Sequence, residues 1–566
     1  MKVSLSWLKE LVDYQLSAED LAEKLSLCSI GVKQQTEDYL ELDLTYNRGD
    51  LLSMRGVAYE ISAITDAPLR FLAQTPEDFI WVGQNLPKVE MGGDIIKEAA
   101  VFCVAKIEGL KIGESNKEWV KKLTDSGIRS INNIADITNL IMIEYGQPMH
   151  AFDATKAGGI HVDKAKKGTK FTTLDGKERN LDDDLVIRNK ENIIGIAGVM
   201  GGKDSEVSDS TTSIMLEAAI FNPSMIRKTS KRIGLHSEAS RRFQHELSKF
   251  RLLQALDAAI RMYHKIGGKL TALTLNGDFG QEKRNLNLSI NKANSLLGVR
   301  LDEETITNCL KKLGFNVQHK DQDNLEVMPP YFRMDINIEE DLIEEVARMY
   351  GYEKIEATTL AKEKIPQLDQ RLPKFVYDIK LKLQDLGLTE VQTYSFYSSA
   401  VFKALEYSEE VQKDFIKIAN PLSSETEYMR MDLWPNLLEV VGKNIRQGFK
   451  DIAIFEVGKI YWRNEQKQAD EKYTVSIALM NSSDNPLEEL AGLIKLVLPF
   501  FKGNLKLNTN PSDHTSSQNF HPHRFVNITN NGEWVGGAAE IHLKTLHKLG
   551  IEKRVAVMEL NLRKLI

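Results

Sequence analysis

Two residues of the chain stand where their chemistry needs explaining. Glu217 interrupts the apolar run IML-AAIF of residues 214–221. A carboxylate inside an apolar strand must find a partner or face a pocket, unless the strand is an edge and the side chain points to water. His150 follows NNIADITNLIMIEYGQPM, in which Ile137, Leu140, Ile141 and Ile143 give a helix an apolar side and Gly146-Gln147-Pro148 stops it. That reading sets Thr138 and Asn139 side by side on the helix and His150 on a loop just past a rigid turn. Alone, such a histidine reads first as a satisfied structural residue. A third string, GIAGVMGG over residues 195–202, reads as a strand entering a glycine-rich turn, either a tight bend or a place where backbone approaches a ligand closely. Together they suggest a polar pocket in an apolar frame.

Two other clusters carry chemistry. In MPPYFRMDINIEEDLIEEVARMYGY, Met334, Ile336 and Ile338 alternate as on a strand, leaving Asp335 on the other face, before a helix bearing Asp341, Glu344 and Glu345 at spacings of three and four. Four carboxylates without histidine or cysteine suit a magnesium ion, and equally suit the positive end of a helix. In ANPLSSETEYMRMDL, a strand ending at Asn420-Pro421, a loop, a strand carrying Arg430 and a helix from Leu433 follow in order. Between residues 227 and 251 lie Arg227, Lys228, Lys231, Arg232, Arg241, Arg242, Lys249 and Arg251, against only Glu238 and Glu246. This basic patch fits RNA or a solvated helix face. His514, His521 and His523 have no carboxylate or cysteine arranged with them, so they do not read as a metal site.

The elements that must position these residues belong to a chain of 566 residues, 42% hydrophobic and 27% charged, which is globular composition on the scale of three to five domains. No window approaches the ~18 apolar residues of a membrane span, and no secretory leader opens the chain. Three scattered cysteines without CxxC spacing exclude a cysteine zinc site and point to a reducing cytoplasm. A net charge of −7 excludes nucleic-acid binding by bulk charge and leaves it to local patches. Two short helices open the chain, the first with Trp7, Leu8, Leu11 and Val12 buried, the second capped by Ser17 and ended by Gly31. A strand, a polar turn at Asn47–Asp50, a helix from about Leu52 and a linker from Ala67 to Gly93 follow. From Ile95 to Phe279 the text is strand-rich, with helices near Ser115–Thr124 and Arg241–Ile266. A strand–helix–helix–strand unit comes next, and after Gln367–Leu372 long helices alternate with strands such as IAIFEVGKIYW.

Quoted in order, these strings resemble the β subunit of bacterial phenylalanine–tRNA ligase over essentially the whole chain. MKVSLSWLKELV and LTYNRGDLLSMRGVAYEISAIT are similar to that family's first domain, and ITNLIMIEYGQPMHAFD, IAGVMGG and EASRRF to its editing domain. RMDINIEEDLIEEVARMYGY is similar to its winged-helix-like domain, and ANPLSSETEYMRMDL with FEVGKIY to a class II synthetase-like module without catalysis of its own. The resemblance implies a multidomain α+β chain divided at 1–94, 95–280, 281–360 and 361–566. It implies an α2β2 heterotetramer in the cytoplasm, with no membrane contact, in which the α subunit uses ATP and magnesium to charge tRNA(Phe) with phenylalanine while β proofreads.

Carried over by position, the resemblance assigns hydrolysis of mischarged Tyr-tRNA(Phe) to Thr138, Asn139, His150 and Glu217. It lines the pocket with Ala197, Gly198, Ser237 and Ala239, Ser237 standing where the family usually has threonine. It assigns magnesium to Asp335, Asp341, Glu344 and Glu345, and matches Arg430 to a motif arginine that grips ATP in active relatives. Two family parts have no counterpart here. Glu41-Leu42-Asp43 runs on where an OB-fold tRNA-binding insert is usual, and the chain stops at VAVMELNLRKLI, before a ferredoxin-like anticodon-binding domain. The competing expectations are a non-editing scaffold or RNA-binding paralogue and a free-standing deacylase.

Overall fold

The computed structural model describes residues 1–93, 96–280, 284–359, 369–464, 466–481, 485–508 and 517–565. It divides into two compact units, 1–359 and 360–566. Ile95, Gln367 and His514, named above, lie outside the described residues.

The first unit opens as expected, with helices Leu5–Leu11 and Ala18–Cys28 capped by the hydroxyls of Ser4 and Ser17. Gly31 does not end the second helix; it starts the strand Gly31–Gln35, which with Lys2–Ser4 and Tyr39–Asp43 forms a three-stranded sheet. The helix Met54–Thr65 completes this core. The stretch from Ala67 to Gly93 is docked at two points. Phe79 and Trp81 are buried, and the Asp257 carboxylate accepts hydrogen bonds from the Ile80 N–H and the Gln74 amide.

At the centre lies an antiparallel four-stranded sheet in the order Lys269–Gly277, Ala99–Glu108, Ser213–Phe221, Met149–Asp153. Strand alternation sends Leu216, Ala218 and Ala151 to one face, covered by helices Asn133–Tyr145 and Lys249–Lys265. The other face carries Met215, Ala219 and Phe152 and packs against a second sheet, in the order Met200–Gly201, Ile193–Ile196, Leu185–Arg188, His161–Lys164. With about 25 cal/mol for each Å² of apolar surface removed from water, this two-faced burial is what holds the sheet between its layers.

The expected helix Arg241–Ile266 is two helices, Glu238–Phe243 and Lys249–Lys265, because Ser248 caps the second with its hydroxyl. The break turns two members of the basic patch inward. Arg242 is buried and donates to the Leu52 carbonyl and to Glu238, and buried Arg251 donates to the Asp50 carbonyl. Arg227, Lys228, Lys231, Arg232 and Arg241 remain exposed.

Residues 286–350 form a three-stranded antiparallel sheet with helices Ile290–Leu297, Glu303–Lys312 and Glu339–Tyr350 around one core. The expected strand through Met334–Ile338 is absent. The segment runs as turns, because the Arg333 guanidinium clamps Asp335 two residues on, and the Asp341 carboxylate accepts from the N–H groups of Asn337 and Ile338 to start the helix. Ile338, read as a strand residue, is the helix cap and 54% exposed.

The second unit holds a seven-stranded sheet in the order Thr389–Glu390, Ile452–Arg463, Ala469–Met480, Ala556–Asn561, Glu533–Ile541, Phe520–Asn530, Leu505–Asn508. All neighbours are antiparallel except the first pair. Helices Arg371–Asp385 and Pro486–Val497 pack with this sheet in one core, and Trp434–Arg446 in another. The strand expected to end at Asn420-Pro421 is reduced to a single bridge between Lys417 and Tyr428. The chain is thus a multidomain α+β protein.

Candidate active site

Glu217 is on an interior strand, and so is not an edge residue pointing to water. It stands directly opposite His150 in the antiparallel register, so His150 is a strand residue, not a loop residue. Residues opposed this way share a face with Cβ atoms about 5 Å apart. That face is the one covered by the second sheet. Ala197 and Gly198 belong to the turn that joins two of its strands, and Gly201 follows on the next.

Burial sets the protonation of both groups. Glu217 is only 7% exposed, and desolvation pushes its carboxyl up from 4.5 to about 8, so it is neutral near pH 7 and able both to donate and to accept a hydrogen bond. The same cause pushes the His150 imidazole down to about 4, so it is neutral too. Its Nε2 is buried without a hydrogen-bond partner, and its ring meets Phe152 edge-on at 4.4 Å between centroids. A buried polar nitrogen left unpaired costs roughly 1–3 kcal/mol, which a bound molecule or water recovers.

The glycines are shaped to this pair. A Cβ at Gly201 would lie 2.6 Å from His150 Nε2, so only glycine lets the second sheet close on the imidazole. Gly198 sits at φ +65°, where a Cβ would also press on Ile226, Phe221 and Phe243. Ser237 fixes the turn to the neighbouring helix. Its hydroxyl donates to the Val199 carbonyl at 2.7 Å and accepts from the Ser240 N–H at 3.0 Å, capping Glu238–Phe243. Ala239 packs in the same core from the first turn of that helix.

Thr138 and Asn139 are placed differently. Both lie on the helix Asn133–Tyr145, whose apolar side covers the opposite face of the sheet. The Thr138 hydroxyl donates to the Ala135 carbonyl of its own helix. Among the described residues no hydrogen bond joins either to His150 or Glu217. Phe152 and Gly201 were missed as site residues. Alternation two residues beyond His150 would have found Phe152, and Gly201 stood in the quoted glycine string.

The carboxylates assigned to magnesium do not fit an ion in this structure. Asp335 and Glu345 are each bound through both oxygens to arginines, Asp335 to Arg333 and Glu345 to Arg333 and Arg348. Asp341 caps the helix start, and Glu344 is exposed. Among the described residues no three metal-ligating side chains come together as a cage. Arg430 is likewise engaged: 3% exposed, it donates to Glu456 at 2.8 Å, to Thr393 and to the Lys459 carbonyl, leaving no free fork for a phosphate.

Three family models match the chain in order: the B3/4 domain over residues 98–268, the tRNA synthetase B5 domain over 286–352, and the phenylalanyl tRNA synthetase beta chain CLM domain over 355–562. Among curated proteins it is 32% identical over 563 residues to the phenylalanine–tRNA ligase beta subunit of Geobacter sulfurreducens, covering 95% of this chain and 68% of that one. It is 34% identical to the proteins of that name from Bacillus subtilis, over 95% of this chain and 68% of that one, and Halalkalibacterium halodurans, over 94% and 67%. A solved N-terminal fragment of the phenylalanyl-tRNA synthetase beta subunit from Pyrococcus horikoshii is 16% identical, with a TM-score of 0.34 over 62% of this chain and 99% of that one. That score supports no inference. With relatives matched over two thirds of their length and all three models in sequence order, the chain belongs to the phenylalanine–tRNA ligase beta subunit family.

Proposed function

We propose that this chain works as the β subunit of a phenylalanine–tRNA ligase and that its 95–280 region hydrolyses tRNA(Phe) mischarged with tyrosine. In this reading an α subunit activates phenylalanine with ATP and transfers it to tRNA(Phe), with two copies of each chain in the assembly. The exposed basic residues Arg227, Lys228, Lys231, Arg232 and Arg241 meet tRNA phosphates.

The observation that carries the reading is the neutral pair of buried Glu217 and half-buried His150, held opposite each other beneath a glycine turn. Phenylalanine and tyrosine differ by one hydroxyl. A pocket that hydrogen-bonds this hydroxyl rejects phenylalanine strongly, since the unpaired partner is then left buried. A protonated Glu217 serves that purpose, accepting the phenol proton on one oxygen and donating its own to the phenol oxygen. His150, neutral and with Nε2 unpaired, holds the attacking water by a hydrogen bond. Water adds to the ester carbonyl carbon, the bond to the terminal ribose oxygen breaks, and the water proton ends on that oxygen, releasing tyrosine and intact tRNA. With an imidazole pushed down to about 4, positioning outweighs proton abstraction.

The test is deacylation of Tyr-tRNA(Phe) by this chain reconstituted with its α subunit. Glu217→Ala is expected to slow clearance at least tenfold while leaving phenylalanine charging unchanged. Undiminished clearance would sink the assignment. A complex that charges tRNA but never clears Tyr-tRNA would favour a scaffold.

A further inference from the structure

The second unit contains a cavity of about 700 Å³ with no assigned role. Asp432, Glu559 and Lys472 line it together with Thr474 and Tyr407. The remaining walls are mainly apolar, among them Met431, Ile460, Val535 and Val557. The two carboxyl groups are close enough to act on each other: burial pushes Asp432 up to about 6, and burial together with the Asp432 charge pushes Glu559 up to about 8. Glu559 is anchored by the N–H groups of Leu433 and Trp434, which donate at 2.8 and 3.1 Å where the helix Trp434–Arg446 begins. Lys472 is a cation that offsets both carboxyls, and its ammonium also lies 5.1 Å from the Trp462 ring centroid.

The cavity is therefore short of positive charge, and near neutral pH the two carboxyls make up the difference by holding a proton. A second, independent feature points to a missing guest. Thr474 is 1% exposed, lines the cavity, and its hydroxyl has no hydrogen-bond partner among the described residues. Native interiors leave few such groups unpaired, because each costs roughly 1–3 kcal/mol.

We propose that this cavity binds a small organic ammonium ion, a primary amine on an apolar body, with the ammonium against Asp432 and Glu559 and the body against the apolar walls. The bound ammonium supplies the positive charge that the two carboxyls lack, and the Thr474 hydroxyl gains an acceptor or donor in the guest. Volume is not limiting, since pockets of ~300–1,000 Å³ hold ligands of this size. The site is in the synthetase-like unit and does not depend on the editing reading.

The full 566-residue chain is titrated calorimetrically with 2-phenylethylamine, and with 2-phenylethanol as the uncharged match. Saturable one-to-one binding of the amine, at least tenfold tighter than the alcohol, is expected. Asp432→Asn and Glu559→Gln should each weaken it about tenfold, and Thr474→Val by a smaller factor. Equal binding of amine and alcohol, no saturable amine binding, or an amine affinity untouched by both carboxyl variants would each overturn the proposal. The amine–alcohol comparison needs no variant, so a misfolded mutant cannot rescue or defeat the proposal.

Discussion

At the scale of the residue, the site depends on two groups forced into neutral forms by burial, and this has a consequence for stability. Glu217 keeps its proton up to about pH 8 when folded and loses it near 4.5 when unfolded, so the folded state holds more protons between those values and stability falls as pH rises through them. His150 acts oppositely: the unfolded chain holds more protons between about 4 and 6.5, so its contribution is lost as pH falls. The two slopes oppose each other up to pH 6.5, and above it the Glu217 slope stands alone. Glu217→Gln should therefore reduce the stability loss between pH 6.5 and 8.5 by about 2 kcal/mol, read by denaturant unfolding at both values. An unchanged loss would mean that Glu217 is ionised in the folded chain. Gly201→Ala is the complementary change. Its methyl would press on the His150 imidazole, so deacylation should fall more than tenfold while aminoacylation with the α subunit is retained. Glu217 was legible in sequence as a charge that did not belong. Its pairing with His150 was not, because register is set by strands 67 residues apart.

At the scale of the element, the glycine turn at the candidate site is held by a helix cap. Ser237 spends its proton on the Val199 carbonyl and accepts the Ser240 N–H, tying Glu238–Phe243 to the glycine turn. Ser237→Ala should cost about 1 kcal/mol, as loss of a cap usually does, and raise the hydrogen exchange of the 197–201 turn. Ser237→Thr keeps the hydroxyl and should change neither. Equal exchange in the alanine variant would separate the cap from the turn. Element types were legible where pattern and cap agree, as at Ser17. The reading failed where side chains beat periodicity. Met334–Ile338 alternates like a strand, yet Arg333 and Asp341 hold its backbone in turns.

At the scale of the whole molecule, Asp335 and Glu345, two of the four carboxylates first read as a metal site, belong to an arginine–carboxylate chain inside the first unit. Asp50 and Glu60 pair with Arg48, Glu60 and Glu345 with Arg348, and Glu345 and Asp335 with Arg333, at 2.6–2.8 Å. It ties the helix Met54–Thr65 to the helix Glu339–Tyr350. Its arginines hold Glu60 well below the usual carboxylate range and Glu345 down at about 2. Removing one member leaves its neighbours charged and buried, so Arg348→Met should destabilise the first unit by about 3–5 kcal/mol in urea unfolding. A loss below about 1 kcal/mol would show that water enters the chain of charges.

The sequence by itself determined the family, the order of the regions, most helices with their caps, and the strings that carry the site, because these depend on local pattern and on side-chain types that do not belong in a core. Only the tertiary structure decided which of the charged residues are available. Arg242, Arg251, Arg430, Asp335 and Glu345 all read as surface or ligand-binding groups, and all are engaged inside the fold, Asp335 and Glu345 by nearby arginines and Arg242, Arg251 and Arg430 by partners distant in the chain. Charge is visible in a sequence, but desolvation and pairing are properties of the packed chain. The same holds at the site, where packing alone makes Glu217 neutral and leaves a nitrogen of His150 unsatisfied.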